Sequence, residues 1–340
     1  MNSNYSKTVK FIVSSISAAA LSVSLQAIAD TTELKLVVET APKDSPEGES
    51  LRRWGELMKK YSNGNIEPKY FYQNELGSQQ GVFDLLVAGE VDGALNYPMT
   101  TYSKKVGVIY TPYMFTEWED AYEAYQQGGW LSEILRDLYK DINLKFLGPR
   151  VEGFTGITTR GAYATNREEA SDLGFTLRTM PVFPIPQTVE AMGYNTAAID
   201  WSETYTALQT GVVDGNSNNI IYWDYIYLGD VMDYFTQTNH FFMTAVYSMN
   251  NEVFENLSEE NKEAVLKASE EMVRRQFKKA KEDDEYYRQQ AINDGIEYIK
   301  LSESEMNDYA KHVRETVWPQ LDSVFGEEIM KVVRENASSL

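Results

Sequence analysis

The chain has no cysteine among its 340 residues. That excludes disulfide bracing, thiolate nucleophiles and cysteine-ligated metal centres. Core burial has to supply the stability, and a chain of this length can bury enough of its unfolded surface to do so. Histidine is nearly missing as well. The two present, His240 and His312, stand far apart in sequence without local partners at metal-ligand spacing, so no metal is expected. No Gly-x-Ser-x-Gly elbow and no phosphate-binding loop occurs. Carboxylates remain, and a glycosidase-like pair is a matter of space rather than of sequence, which keeps a carboxylate-pair hydrolase as a second class of reading. The expectation is no catalytic residue and no cofactor.

Positive charge is scarce: 31 Lys and Arg stand against 51 Asp and Glu, a formal charge of −20. A nucleic-acid partner is excluded on that ground, because such binding rests on phosphate neutralisation, and anionic membrane surfaces are disfavoured. An anionic small ligand is not excluded. One buried arginine can make a local positive potential, and screening over about 8 Å hides remote charges. Long apolar runs are missing too, except at the N-terminus. There Lys7 and Lys10 precede a run from Phe11 to Leu25, and Ala27-Ile28-Ala29 offers a small-x-small cleavage site. Residues 1–29 therefore read as a secretory signal peptide whose apolar part is short for a membrane span. Its removal takes the charge to −22. With no cysteine after the site for a lipid anchor, the expected location is the periplasm.

What the sequence does have concentrates between Gly174 and Asn219. Gly174-Phe175-Thr176-Leu177-Arg178 reads as a short apolar strand delivering an arginine at its end. A helix follows, then Trp201 in a connection, a helix ended by Gly211, and a strand from Val212 leading to Asn216, Asn218 and Asn219. These are the parts of an anion pocket: a planar guanidinium that matches a carboxylate in two bonds, an aromatic face, and orientable amides.

The runs Leu-Arg-Thr-Met-Pro at 177–181 and Trp-Ser-Glu-Thr-Tyr-Thr-Ala-Leu-Gln-Thr-Gly-Val-Val-Asp-Gly at 201–215 resemble the signature of the substrate-binding proteins of tripartite ATP-independent periplasmic (TRAP) transporters. The resemblance extends from about Leu34 to the C-terminal helices. It implies an α/β, two-lobed periplasmic-binding-protein fold with a ligand cleft between the lobes and a long helix spanning both. It also implies a monomer that hands a small carboxylate-bearing ligand to TRAP membrane subunits. Arg178 matches the family arginine that grips the carboxylate, Trp201 an aromatic that packs on the ligand, and Asn218 an asparagine that hydrogen-bonds it. Departures are visible: Ser217 and Asn219 stand where members commonly have glutamate and proline. Acid-sugar binders carry a further arginine where this chain reads Phe154-Thr155-Gly156.

An internal echo supports two facing units. Gly89-Glu90-Val91-Asp92-Gly93-Ala94-Leu95-Asn96 has the pattern of Gly211-Val212-Val213-Asp214-Gly215-Asn216-Ser217-Asn218, each following a helix and opening a strand. Ligands of open α/β sheets sit beyond the carboxyl ends of strands, so Asn96 and Asn218 are expected on opposite walls of one cleft. The plainer reading, an efficient helix-to-strand turn, leaves the fold inference intact. The expected lobes are 30–152 with 244–283, and 153–243 with 284–340. Gly148–Phe154 is read as a crossing, 166–171 as a polar loop and Ile220–Phe235 as one aromatic helix. A long helix from Glu259 to Ala291 is expected to bury Val265, Leu266, Met272, Val273, Phe277 and Ala280.

Further ligand-binding candidates are Tyr97, Phe154, Arg150 and Glu152 near the crossing, and Glu39 at the end of the first strand. Two ligand types remain open. A plain organic acid or sugar acid would use Asn96, Asn216 and Asn218, with Glu39 salt-bridged elsewhere, for instance to Arg150. A zwitterion such as ectoine would set Glu39 and aromatic faces against its cation.

Overall fold

Two open sheets organise residues 31–340, the part of the chain that the computed structural model describes; the signal peptide read at 1–29 lies outside it. In chain order come β1 (Thr32–Val38), α1 (Pro46–Tyr61), β2 (Ile66–Tyr72), α2 (Gln79–Ala88) and β3 (Gly93–Asn96). A 3-10 turn at Lys104–Tyr110, α3 (Trp118–Tyr125), α4 (Trp130–Lys140) and β4 (Leu144–Phe154) follow. Then come β5 (Gly156–Thr159), α5 (Arg167–Leu173), β6 (Thr176–Thr179), α6 (Ile185–Ala191), β7 (Asn195–Ala198), α7 (Trp201–Gln209), β8 (Gly215–Asn219), α8 (Ile221–Leu228) and β9 (Tyr234–Gln237). The chain closes with β10 (Phe242–Asn250), α9 (Asn251–Asn256), α10 (Glu259–Asn293), β11 (Glu297–Lys300), α11 (Glu303–Phe325) and α12 (Glu327–Asn336).

The strand order β2-β1-β3-β10-β4 makes the sheet of lobe I, and β11-β9-β5-β8-β6-β7 that of lobe II. The two-lobed α/β architecture is therefore the one expected. The repeated motif has the same physics in both lobes. Asp92 Oδ2 accepts the amide of Lys35 at 2.6 Å, and Asp214 Oδ2 accepts that of Thr176 at 2.8 Å, so each aspartate ties its strand to the neighbouring one. The following glycine lets the chains close up: a Cβ at Gly215 would lie 2.2 Å from the Thr158 carbonyl, and one at Gly93 2.9 Å from Leu36.

Between the lobes, β4 passes into β5 through Thr155, and β9 passes into β10 through 238–241. The crossings are bonded to each other, Thr155 N–H to the Phe241 carbonyl at 3.0 Å and Phe241 N–H to Thr155 Oγ1 at 3.0 Å. His240 is buried there beside Thr238, and burial pushes its imidazole down to about 3, so it stays neutral. Helix α10 ties the lobes together. Ser258 caps its start, Trp54 of α1 donates to its Ser269 at 2.8 Å, and its Gln276 donates to the Val151 carbonyl at 2.8 Å. Farther along, its Tyr287 packs on Tyr222 of α8 at 4.6 Å.

Five local expectations are corrected. Gly148–Phe154 continues β4, because β10 pairs with it along its length. Residues 167–173 are helical: Asn166 caps α5 by accepting the Glu169 amide, acids fill the first turn, and Gly174 ends it in the left-handed region. The aromatic helix stops at Leu228, and Tyr234–Gln237 becomes β9 between β5 and β11. Trp201 opens α7 rather than standing in a connection, with Asp200 as the cap. Leu266 is exposed on α10, where Ala264 and Ala268 take the inner face instead.

Candidate functional site

Four strands from the two sheets point their carboxyl ends at one cleft. Thr40 follows β1, Tyr97 follows β3, Met180 follows β6, and Asn218 and Asn219 end β8; all five line it. Gln79 and Met243 of lobe I and Arg178, Trp201 and Trp223 of lobe II complete the walls.

Arg178 is 2% exposed. Its Nε donates to the Ile199 carbonyl at 2.8 Å and its Nη1 to Asn216 Oδ1 at 3.4 Å, while the indole of Trp201 lies 5.7 Å from the guanidinium carbon. Among the described residues no carboxylate forms an ion pair with it. Burial pulls the guanidinium down to about 10, opposed by the more distant Asp200 and Asp224, so it is charged at neutral pH. The charge is supported through an intermediary. Asn216 Nδ2 and Asn219 Nδ2 donate to Asp224 Oδ1 at 2.9 and 2.6 Å, and Thr158 donates to the other oxygen. Asp224, pushed up to about 6 by burial, thus orients both amides. The sequence reading missed it, although a lone acid in the first turn of Ile-Tyr-Trp-Asp-Tyr-Ile-Tyr-Leu is a signal. Asn218, at φ 67°, accepts the Met180 amide at 3.2 Å.

The other candidates divide. Trp201 packs edge-on against Trp223 at 5.6 Å, and Tyr97 approaches Trp223 at 6.4 Å. Arg150 and Glu152 form a buried network behind the cleft: Arg150 bonds Glu152 at 2.5 Å and Glu47 at 2.9 Å. Tyr97 and Trp223 donate to Glu152 Oε2 at 2.7 and 3.2 Å, and Tyr222 donates to Glu47 at 2.9 Å. Burial opposes the Arg150 charge, but Glu47 and Glu152 outweigh it and hold Arg150 above its ordinary value. Burial also leaves Glu152 above the usual carboxylate range despite Arg150. Because Tyr222 and Trp223 belong to lobe II and Glu47 and Glu152 to lobe I, these bonds span the cleft. Phe154 packs with Trp118 and Phe242 at 5.8 and 5.0 Å, in an aromatic cluster rather than on the cleft wall.

Glu39 is 2% exposed, and Arg150 does not pair with it. Burial pushes its carboxyl up to about 8; its own backbone amide nearby opposes this without closing a hydrogen bond of normal geometry, and Asp200 adds to it. The native chain therefore binds one proton more than the unfolded chain between pH 4.5 and about 8, and stability falls as pH rises through that window. Glu39→Gln should remove this dependence. The variant should gain on the wild type across the window, reaching roughly 1–3 kcal/mol at its alkaline end. Urea denaturation at several pH values measures the gap, and parallel curves would count against a neutral Glu39.

A family model for bacterial extracellular solute-binding proteins of family 7 matches residues 37–322. The chain belongs to that family. A solute-binding protein of Chromohalobacter salexigens is 25% identical over 268 residues, covering 77% of each chain. Two solved structures share the fold. A sugar acid binding protein from Advenella mimigardefordensis in complex with galactonate superposes with a TM-score of 0.81 at 22% identity, covering 90% of this chain and 98% of the other. A TRAP periplasmic solute binding protein from Sulfurospirillum deleyianum with bound succinate gives 0.79 at 22%, covering 90% and 99%. The TRAP-receptor resemblance read from the sequence is thereby borne out, and the family is one of extracytoplasmic transport receptors rather than an enzyme class. Among the described residues no helix is long and apolar enough to cross a membrane, and no group of three or more His, Asp or Glu is arranged to hold a metal ion.

Proposed function

We propose that the protein is a monomeric periplasmic receptor that closes on a small carboxylate-bearing solute, an organic acid or sugar acid, and delivers it to the membrane subunits of a TRAP transporter. The observation that carries this is Arg178: a buried, charged guanidinium whose hydrogen bonds go only to neutral oxygens, at the end of β6 beside an aromatic cleft. A carboxylate on its free donors supplies the missing countercharge through charge-assisted bonds. Trp201 and Trp223 shield that pair from water, which strengthens it, and Asn218 fixes its orientation. The galactonate and succinate found in the two fold relatives support this class of ligand.

Closure follows from the same contacts. A ligand stabilises the closed form only as far as it bonds both lobes there and one when open, and the cleft draws its walls from both sheets. A thermal-shift panel of organic acids, sugar acids, sulfonates, amines and neutral sugars tests the reading. A true ligand at about 100 times its dissociation constant should add about 2.7 kcal/mol, seen as a rise of several degrees, and should be recovered chemically unchanged after incubation. Shifts by amines or neutral sugars with none by any carboxylate would reject it, and turnover above a buffer control would favour the carboxylate-pair hydrolase.

A further inference from the structure

Tyr222 of lobe II is buried, yet it is not on the cleft wall, which its neighbour Trp223 reaches instead. Consecutive side chains of a helix leave its axis about 100° apart, so α8 sends the two rings different ways. The Tyr222 ring is held between Tyr287 of α10 at 4.6 Å and Trp223 at 5.3 Å. Its hydroxyl crosses to lobe I and donates to Glu47 Oε2 at 2.9 Å. That hydroxyl is committed to the opposite lobe, away from the place of the solute.

The acceptors are divided in a way that lets the lobes part. Glu47 Oε1 takes Arg150 Nη2 at 2.9 Å and leaves Oε2 for Tyr222. Glu152 Oε1 takes Arg150 Nη1 at 2.5 Å and leaves Oε2 for Tyr97 of its own lobe and Trp223 of the other. Glu47 stands on α1, and Arg150 and Glu152 stand on β4, so the ion network is complete within lobe I. Lobe II adds two neutral donors from adjacent residues. Parting the lobes therefore breaks no ion pair: Glu47 Oε2 passes to water, and Glu152 Oε2 keeps Tyr97. A neutral donor on a carboxylate makes a stronger bond than one between neutral groups, and these two bonds exist only while the lobes are together. A contact made in one of two states shifts the balance between them.

We propose that Tyr222 is a positioning residue of the receptor, a latch that draws lobe II onto Glu47 and raises the affinity for every solute by one common factor without touching any of them. The inference rests on the reading of the protein as a receptor that closes, and not on which solute it takes. Apparent affinity scales with the population of the binding-competent form, so the latch sets its scale while the cleft wall keeps the selectivity.

Tyr222→Phe tests this, because it removes the hydroxyl and keeps the ring against Tyr287. Calorimetry should show galactonate and succinate weakened by the same factor, roughly 10- to 100-fold. Stopped-flow fluorescence should place the loss in the dissociation rate, since the bond forms after the solute arrives. Lobe separation is read without any solute from nitroxide labels at Lys69→Cys on β2 and Glu203→Cys on α7. Both positions are exposed, β2 and the β7 strand before α7 are the outermost strands of their sheets, and the chain has no other cysteine. The ligand-free variant should lose short distances relative to the same labelled chain with Tyr222 intact. Unchanged affinity for both acids overturns the latch, even if the variant is less stable in urea, because Tyr222 is then structural only. A loss confined to one acid overturns it as well, since that places the hydroxyl on a solute. Failure of both acids to bind the wild type counts against the carboxylate reading and leaves the latch to the label distances, where identical distributions overturn it and a shift to longer distances upholds it.

Discussion

Arg178→Ala is expected to abolish measurable solute binding while leaving the protein folded and no less stable. Removing one partner of a desolvated, hydrogen-bonded charge pair costs on the order of 2–5 kcal/mol, which is roughly a 30-fold to several-thousand-fold loss of affinity. Stability moves differently. The guanidinium is buried without a carboxylate partner, and burial lowers it to about 10, so the native state carries the cost of that charge until a ligand offsets it. Its removal strands the Ile199 carbonyl and one bond to Asn216 and takes a distant cation from Asp224, which keeps its bonds to Asn216, Asn219 and Thr158. The denaturation midpoint of the ligand-free variant should therefore equal or exceed that of the wild type. Arg178→Lys should bind poorly as well, because an ammonium lacks the planar fork. Titration calorimetry giving native affinity for Arg178→Ala would end its assignment as the anion anchor.

Arg150→Met is expected to do the reverse, destabilising the fold by about 3–5 kcal/mol, the usual cost of stripping one member from a buried ion network. Glu47 and Glu152, 3% exposed each, would remain without their cation, held only by Tyr97, Tyr222 and Trp223. Glu152, which burial already holds above the usual carboxylate range, would rise further without the cation that opposes this, so the deficit should shrink as pH falls and it takes up a proton. Adding Glu47→Gln and Glu152→Gln to Arg150→Met should recover most of the loss, since neutral amides keep the shape without the charge. An Arg150→Met single variant as stable as the wild type in urea would show that the network contributes nothing net.

Periodicity made much of the architecture readable. The long helix read from Glu259 to Ala291 runs Glu259–Asn293 and buries Val265, Met272 and Ala280, because a buried stripe at helical spacing is a local signal. The repeated Asp-Gly predicted two related units for a reason that the structure makes physical: a carboxylate on a neighbouring amide and a strand approach that only glycine allows. The errors came where tertiary contacts outweigh local pattern. β4 runs through Gly148 and Pro149 because β10 lies alongside, and Tyr234–Gln237 is a strand because β5 and β11 flank it. In the cleft, strand-end position placed Arg178, Tyr97 and Asn218 on the walls. The pairing of Arg150 with Glu47 rather than Glu39 was not legible, since it depends on a helix more than a hundred positions away. Asp224 is a different case: two of its partners, Asn216 and Asn219, lie within eight positions on the preceding strand, and only Thr158 is remote.

The edge-on contact between Trp201 and Trp223 has an optical consequence. The chain has 6 tryptophans, and these two line the cleft from the lobe II side, the second also donating its indole N–H to Glu152 of lobe I. A solute on Arg178 places a charge beside one indole, and any change in lobe separation alters the hydrogen bond of the other. Emission wavelength and near-ultraviolet dichroism should therefore follow occupancy without a label, with Trp201→Phe and Trp223→Phe dividing the signal between arrival of the solute and closure of the lobes.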